Sequence, residues 1–343
     1  MVIVMSPGSS AEAIDEVVNA ITDAGGEAFV SAGVARTIIG VVGATDVLES
    51  LEARDLTQHP SVAEVLRVTS PYKLVSKENH TQTSTVMVGN APIGPSSVTL
   101  IAGPCAVETP AQTLEAAQMA VQAGATILRG GAFKPRTSPY AFQGLGAAGL
   151  EILADVGREV GLPIVTEVVD ARDVDIVAEH ADMLQIGTRN MQNFALLQAA
   201  GAAGKPVLLK RGLTATYDEW LMAAEYIAQR GNLDIVLCER GIRTYEPSVR
   251  NTLDVTAVPV MHDLSHLPII IDPSHAAGRR DLVLPLARAG LGAGADGLIV
   301  DVHPHPEQAL CDGPQALVGE AMDELAQLMA TLPALLGRTQ NAR

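Results

Sequence analysis

The sequence predicts an α/β protein in which a (β/α)8 TIM barrel follows a small βαββαβ domain of the ferredoxin-like type. From Val98 onward, eight short apolar runs recur, and helix-like stretches separate most of them. Eight such units over about 245 residues fit the usual size of a (β/α)8 barrel. Residues 1–70 follow a different order, βαββαβ, which is that of a split βαβ domain.

The N-terminal domain, residues 1–70, is predicted from short apolar runs and capping residues. Its first helix begins after Ser9 or Ser10, either of which can cap it. The other predicted elements are strands at Val2–Met5, Glu27–Ser31, Thr37–Val42 and Val62–Val68, a turn at Ala32-Gly33, and a helix from Thr45 or Asp46 through Arg54. The polar stretch 71–84 predicts a linker to the barrel domain, 85–343.

The barrel domain opens with a predicted hairpin at Thr85–Val88 and Ala91–Ile93. The eight predicted strands are Val98–Ala102, Thr126–Arg129, Pro163–Glu167, Met183–Ile186, Pro206–Lys210, Ile235–Glu239, Pro268–Asp272 and Gly297–Asp301. Near-continuous apolar strands indicate a parallel sheet that is buried on both faces. An open doubly wound sheet is the structural alternative, and the lack of GxGxxG after a first strand argues against it.

Composition excludes several functional classes. The net charge of -16 argues against a nucleic-acid-binding surface, and only 3% aromatic residues argues against base stacking. No apolar run approaches the ~20 residues that a membrane span needs, and the N-terminus lacks a secretory signal. Cys105, Cys238 and Cys311 are odd in number and far apart, which favours a reducing cytoplasm over a disulfide framework.

Cationic residues cluster at the predicted C-terminal ends of the barrel strands, where barrel enzymes carry their chemistry. The Gly- and Pro-rich stretch LRGGAFKPRTSPYAFQG, residues 128–144, supplies three of them. The predicted rim contains Arg129, Lys134, Arg136, Arg189, Lys210, Arg211, Arg240 and Arg243. Any one of these alone could form a surface ion pair. Together they predict a site for carboxylate and phosphate groups, or for two phosphorylated substrates.

A second set at the same predicted rim consists of Cys105, His275, Asp301 and Asp312. Thiolate, imidazole and carboxylate are usual ligands of divalent first-row metals, so the set predicts a site for Mn²⁺, Fe²⁺, Zn²⁺ or Co²⁺. Cys311 precedes Asp312 directly and is either a packing residue or a redox-sensitive thiol.

Seven segments together resemble 3-deoxy-D-arabino-heptulosonate 7-phosphate (DAHP) synthase, in the shorter type I form with an N-terminal ferredoxin-like regulatory domain. They are AGPCAVE, LRGGAFKPRTSPYAFQGLG, QIGTRNMQN, LLKRG, CERGIRTYE, DPSHAAGRRDLV and VHPHPEQALCDGPQAL. The resemblance implies a metal-dependent transferase that condenses phosphoenolpyruvate with D-erythrose 4-phosphate and releases phosphate. This is the first step of the shikimate pathway to aromatic amino acids.

The resemblance also implies roles for individual residues. Arg129, Lys134, Arg189, Lys210 and Arg240 would hold phosphoenolpyruvate, and the segment Lys134-Pro135-Arg136-Thr137 would meet erythrose 4-phosphate. Lys134, Cys105 and His275 would be catalytic, and Cys105, His275 and Asp312 match the metal ligands. Asp301 departs from the family, which usually has Glu in EVHP where this chain has DVHP. Glu167 and the Lys210 region are the candidates for activating the attacking water.

Two other functions are considered. A related barrel, 3-deoxy-D-manno-octulosonate 8-phosphate (KDO8P) synthase, uses arabinose 5-phosphate, but KPRTSPY and the regulatory domain favour the first interpretation. The chain could also be a non-catalytic sensor of aromatic amino acids, and the intact cationic and metal positions argue against this. By resemblance, feedback inhibition by Tyr or Phe and assembly into a homo-oligomer, a tetramer by analogy, are expected.

Overall fold

The N-terminal domain has the predicted ferredoxin-like topology. The computed structural model describes residues 1–32, 37–66 and 71–340. The elements of this domain are β1 (Val2–Met5), α1 (Ala11–Asp23), β2 (Glu27–Ala32), β3 (Thr37–Val42), α2 (Thr45–Ala53) and β4 (Val62–Leu66). The strands pair antiparallel in the order β2-β3-β1-β4, and the Ser10 side chain caps α1 by accepting from the Ala13 N–H. The predicted turn after Ala32 and the predicted extension of β4 to Val68 lie outside the described residues.

The C-terminal domain is a closed parallel barrel, as predicted. A short antiparallel hairpin of β5 (Val86–Val88) and β6 (Ala91–Ile93) precedes it. The barrel strands are β7 (Ser97–Gly103), β8 (Ile127–Arg129), β9 (Ile164–Val168), β10 (Met183–Ile186), β11 (Val207–Lys210), β12 (Ile235–Glu239), β13 (Ile269–Ile271) and β14 (Gly297–Asp301). Each pairs in parallel with the next, and β14 pairs with β7 to close the ring.

Helices follow the barrel strands, in the intervals where the sequence shows helix-like stretches. They are α3 (Pro110–Gln122), α4 (Ala147–Val160), α5 (Val174–His180), α6 (Phe194–Ala202), α7 (Tyr217–Ala228), α8 (Ala257–Leu264), α9 (Pro273–Ala277), α10 (Arg280–Gly292) and α11 (Glu320–Leu335). Helix α8 lies in the interval 240–267, where the sequence pattern is least clear, and the short α9 directly follows the strand β13 and Asp272. Helix α11 begins at Glu320, and a separate 3-10 turn at Gly313–Gln315 precedes it. A short β15 (Thr339–Gln340) pairs with the start of β7.

The barrel interior is an apolar layer, and the hairpin packs against its N-terminal end. Each strand contributes to this layer through Ile101, Ile127, Val165, Met183, Leu208, Val236, Ile270 or Ile299. Val86, Val88, Ala91 and Ile93 of the hairpin belong to the same cluster, and the Thr99 hydroxyl donates to the Pro92 carbonyl at 2.6 Å. The hairpin therefore fills the N-terminal end of the barrel and leaves the C-terminal end as its mouth. No helix in the described ranges is both long and apolar enough to cross a bilayer.

The segment that joins the two domains is fixed to the barrel by a buried carboxylate. Glu225 on α7 accepts backbone N–H groups from Lys73, Leu74 and Val75 at 2.9–3.1 Å. The Ser265 hydroxyl donates to the Val75 carbonyl at 2.6 Å. These bonds satisfy the backbone polar groups of a connecting segment that is partly buried. The domain boundaries at 70 and 84 stay predictions, and the polar composition of this segment gave no sign of its burial.

Acid should destabilise the protein through His266, which this segment covers. The imidazole is buried, its Nε2 donates to the Leu74 carbonyl at 3.0 Å and its Nδ1 lies 2.8 Å from Ser84 Oγ. Burial, aided by nearby His80, lowers the pKa of His266 to about 4. The unfolded chain, with an ordinary pKa of about 6.5, binds the extra proton first, so this stability is complete above that pH and is lost as the pH falls toward 4, by about 3 kcal/mol in all.

Urea unfolding of the wild type and of His266→Gln at pH 7 and pH 4.5 measures this contribution. The glutamine cannot titrate, so the variant should lose less stability than the wild type between the two values. Equal losses in both proteins would contradict the assignment.

Candidate active site

A cavity of about 550 Å³ opens at the C-terminal mouth of the barrel, and basic side chains dominate its wall. Seven of the eight predicted rim cations line it. They are joined by Arg250, which the sequence did not single out, and by Glu167, His275, Cys311 and Asp312. The structure therefore brings the predicted anion site and part of the predicted metal site into one space.

Placing Arg211 on this rim was wrong. Its Nη1 lies 2.9 Å from carboxylate oxygens of both Glu239 and Asp254, and its guanidinium lies over the Tyr217 ring. Neighbouring residues of a strand point to opposite faces, so Lys210 and Arg211 cannot both enter the barrel mouth. Arg211 instead joins the strands to the surrounding helices.

Three of the lining cations are almost fully buried at the floor of the cavity. Arg129 pairs with Asp301, and Lys210 Nζ lies 2.5 Å from Asp272 Oδ2. The Arg129 Nε atom is buried and has no hydrogen-bond partner among the described residues. Burial also lowers the pKa of Arg240, although Asp272 opposes this. Buried cations with spare donors provide a floor that favours an anionic ligand.

The predicted KPRT loop forms the outer wall and is held at both ends. The Lys134 N–H donates to the Gln143 carbonyl at 2.9 Å. Gly144 closes the loop with a φ of +94°, and a Cβ there would lie 2.1 Å from the Ala132 carbonyl oxygen. Arg189 reaches across from the fourth strand end and donates to the Pro135 carbonyl at 2.9 Å and to Thr137 Oγ1 at 3.3 Å. Two predicted substrate-binding segments are thus tied together.

Cys105, at the exit of β7, is arranged to be a thiolate. A hydrogen bond from Cys311 and the charges of Lys134 and Arg129 outweigh burial and hold the pKa of Cys105 well below its ordinary value. The two sulfur atoms are 3.7 Å apart, and Lys134 Nζ lies 3.1 Å from Cys105 Sγ. Burial acts to lower the pKa of Lys134, but the Cys105 thiolate outweighs it and the pKa is raised. Thiolate and ammonium therefore stabilise each other.

The predicted metal ligands converge beside this pair. Cys105 Sγ lies 3.8 Å from His275 Nε2 and 3.1 Å from Asp312 Oδ2. His275 Nε2 lies 3.7 Å from Asp301 Oδ2 and 3.9 Å from Asp312 Oδ2. Ligands about 2.0–2.3 Å from one ion are separated by distances of this order. A mixed set of sulfur, nitrogen and oxygen donors therefore fits a divalent metal, and Asp301 is near enough to belong to it.

Two of these proposed ligands are oriented by neighbouring side chains, His275 by Asp272 and Asp301 by Gln315. Asp272 caps α9 by accepting the His275 N–H at 2.9 Å, and its other oxygen lies 2.8 Å from His275 Nδ1. A carboxylate on the remote nitrogen is the usual partner of a metal-binding histidine. Gln315 donates to Asp301 Oδ2 at 2.7 Å. The Asp-Pro start of α9 was a readable capping signal for Asp272, whereas nothing in the sequence marked Gln315.

Comparison with known proteins decides the family. The model of the DAHP synthetase I family matches residues 76–336, and that of the DAHP synthase ferredoxin-like domain matches residues 1–70. The chain belongs to the DAHP synthetase I family. The enzyme named phospho-2-dehydro-3-deoxyheptonate aldolase from Thermotoga maritima is 49% identical over 98% of this chain and 99% of its own. A crystal structure of that name, also from Thermotoga maritima, covers 99% of both chains with 48% identity and a TM-score of 0.78.

Relatives that carry a different enzyme name are less similar to this chain. The enzyme named 2-dehydro-3-deoxyphosphooctonate aldolase from Syntrophotalea carbinolica is 34% identical over 72% of this chain and 95% of its own. The family, the fold and the enzymatic class predicted from sequence are therefore confirmed. This chain is an enzyme of the DAHP synthase type, which condenses phosphoenolpyruvate with erythrose 4-phosphate at the start of the shikimate pathway.

Proposed function

We propose that this cavity is the active site of the condensation and that Cys105, His275, Asp301 and Asp312 hold the divalent metal on which the reaction depends. The observation that supports the proposal most is the convergence of these four donors beside a cavity that eight cations line. A metal bound there, Mn²⁺, Fe²⁺, Zn²⁺ or Co²⁺, would supply Lewis-acid chemistry to the aldehyde of erythrose 4-phosphate. The remaining steps rely on the chain's own residues.

The floor of the cavity is the proposed site for phosphoenolpyruvate. Arg129, Lys210 and Arg240 are buried there, and Lys134 and Arg189 extend the positive charge toward the mouth. The free Nε donor of Arg129 suits an oxygen of the carboxylate or phosphate. These cations would hold the carboxylate and the phosphate of phosphoenolpyruvate and so keep its C3 turned toward the aldehyde.

The outer wall is the proposed site for erythrose 4-phosphate. Arg136 and Thr137 lie toward the mouth and face its phosphate, while Pro135 sets the direction of the loop. Lys134 stands between the two substrates, next to Cys105. As C3 attacks the aldehyde, the ammonium of Lys134 can donate a proton to the oxygen that develops negative charge. Water then adds at C2, and phosphate leaves from the resulting tetrahedral centre.

The identity of the sugar phosphate is the decisive test. Turnover is expected with erythrose 4-phosphate, at a kcat/KM at least about a hundredfold above that with arabinose 5-phosphate, because the extra carbon of arabinose 5-phosphate prevents its aldehyde and its phosphate from occupying the same two positions. Phosphate release measured with phosphoenolpyruvate and each sugar phosphate gives both constants. Activity with arabinose 5-phosphate alone would favour the KDO8P synthase alternative, and inactivity with both would favour a non-catalytic sensor.

Regulation is proposed for the N-terminal domain. Its sheet residues Val2, Val4 and Ile38 share one apolar cluster with Tyr72 and Leu74 of the joining segment, which in turn is fixed to the barrel. A ligand that binds this domain could therefore influence the barrel through these packed side chains. We propose Tyr or Phe as the effector, a homo-oligomer, tetrameric by analogy, as the assembly, and the cytoplasm as the compartment, which suits the three free cysteines.

Deletion of residues 1–70 is expected to keep turnover but to abolish inhibition by the aromatic amino acid. The cavity and all proposed ligands lie within the barrel domain, so the chemistry does not need the deleted part. Initial rates of the full-length and shortened enzymes over a range of Tyr and of Phe measure the effect. Inhibition that survives the deletion would place the effector on the barrel instead.

A further inference from the structure

Arg250 lies on the long connection between β12 and α8, in a part of it that docks on the helix of a proposed metal ligand. Backbone N–H groups of Arg250 and Asn251 donate to the Ala277 and Ala276 carbonyls of α9, at 3.1 and 2.9 Å. The Asn251 side chain donates to the His275 carbonyl at 3.3 Å. A Cβ on Gly278 would lie 2.8 Å from Arg250 Cβ, so the close approach depends on this glycine. The backbone beneath Arg250 is therefore well anchored.

The two oxygens of the Asp312 carboxylate have different partners, and Arg250 contacts one of them. Its Nη1 lies 2.9 Å from Asp312 Oδ1. Asp312 Oδ2 faces the other way, 3.1 Å from both Cys105 Sγ and Cys311 Sγ and 3.9 Å from His275 Nε2. One oxygen is thus held by the guanidinium while the other is presented to the thiolate and the imidazole. In the described part of the chain, Arg250 is the basic residue on Oδ1.

The backbone of Asp312 has an uncommon conformation. It has a φ of +56°, in the left-handed region, at the start of a one-turn 3-10 helix. Gly313, which follows, is packed against the Pro306 carbonyl, from which a Cβ would be only 2.1 Å away. The backbone therefore fixes where Asp312 is, while its carboxylate can still rotate. Arg250 holds Oδ1 and the two thiols contact Oδ2, and these contacts set the rotation.

We infer that Arg250 is a positioning residue for the metal site: it orients Asp312 toward the ion and fixes its distance from His275. The inference rests on the proposed metal site. The Arg250 side chain is 43% exposed, so its ion pair adds little to the stability of the fold. Partners that orient metal ligands nevertheless change metal affinity or activity by about 10–100-fold when they are removed.

Metal affinity of the full-length enzyme tests the inference directly. Co²⁺ dissociation constants are measured by competition with a chromogenic chelator for the wild type, Arg250→Ala, Arg250→Lys, Asp312→Asn and the Arg250→Ala/Asp312→Asn double variant. We expect Arg250→Ala to weaken Co²⁺ binding about 10–100-fold, and Arg250→Lys to recover part of the loss. In the Asp312→Asn background, Arg250→Ala should have little further effect, since its action passes through that carboxylate.

Arg288→Ala is the matched control, because it removes an exposed arginine that also pairs with a carboxylate, Glu324, far from the cavity. It should leave the Co²⁺ constant unchanged. Additive effects of Arg250→Ala and Asp312→Asn would overturn the inference. So would an unchanged Co²⁺ constant with a raised KM for erythrose 4-phosphate, which would make Arg250 a substrate contact. If Cys105→Ala also leaves Co²⁺ binding unchanged, the proposed metal site itself fails, and the two failures are thereby distinguished.

Discussion

Removal of divalent metal is expected to abolish turnover, and Cys105→Ala is expected to do the same even when metal is supplied. Lewis-acid activation contributes several kcal/mol to such reactions, so the loss should reach about a thousandfold or more. Cys105 provides the one sulfur donor that the surroundings keep ionised, through Cys311, Lys134 and Arg129. Without it, two carboxylates and an imidazole are left to hold the ion, and its affinity should fall.

Phosphate release after treatment with EDTA, and after adding back Mn²⁺, Zn²⁺ or Co²⁺, measures the first effect. The Co²⁺ enzyme supplies a second readout, because the thiolate-to-cobalt absorption band should be missing in Cys105→Ala. Cys238→Ala is the matched control: this thiol is also buried, but it lies in the apolar interior of the barrel. Full activity of the EDTA-treated enzyme, or an unchanged cobalt spectrum in Cys105→Ala, would refute the proposed centre.

Lys134→Met is expected to lower kcat/KM by about 10²–10³-fold, the usual effect of losing one donor to a developing oxyanion. The Nζ atom lies 2.8 Å from the Cys105 carbonyl and 3.1 Å from its sulfur, so the ammonium lies beside a proposed metal ligand and lines the cavity. Methionine keeps the length and packing of the side chain and removes its charge. The pKa of Cys105 should then rise, because one of the charges that lowers it is gone, and Co²⁺ binding should weaken as the pH falls.

Steady-state kinetics with both substrates, and Co²⁺ binding between pH 6 and 8, measure these two effects of Lys134→Met. Lys205→Met, which precedes β11 and therefore lies at the opposite end of the barrel, is the control. A kcat/KM close to that of the wild type would show that Lys134 is a structural counter-charge and takes no part in the reaction.

The fold could be predicted from sequence because its elements repeat a simple pattern. Eight buried parallel strands leave eight apolar runs, and each observed strand end lies within one residue of the predicted end. Irregular connections carry no such period. The stretch between Arg240 and Leu267 gave no clear pattern, and it contains both α8 and the Arg250 contact.

Part of the site could be predicted because several of its residues lie at the regular ends of the barrel strands. Lys210 ends a strand, so its place at the mouth follows from topology. Arg211 was misplaced although strict alternation along β11 would have turned it outward. Arg250 lies too far beyond a strand end for any such rule to apply. Glu225 gave no signal either, because its partners are backbone N–H groups more than 100 residues away in sequence, which no local pattern can reveal.

The hairpin fills the N-terminal end of the barrel, so substrates reach the cavity from the C-terminal mouth. Arg129 and Lys210 at the floor are 4% exposed, whereas Thr137 in the outer wall is open to solvent. If phosphoenolpyruvate binds at the proposed floor site and the sugar phosphate at the proposed outer wall, the sugar phosphate would block the path between the floor and solvent. In that arrangement phosphoenolpyruvate would have to bind first, and the sugar phosphate would then cover it until the new carbon–carbon bond has formed.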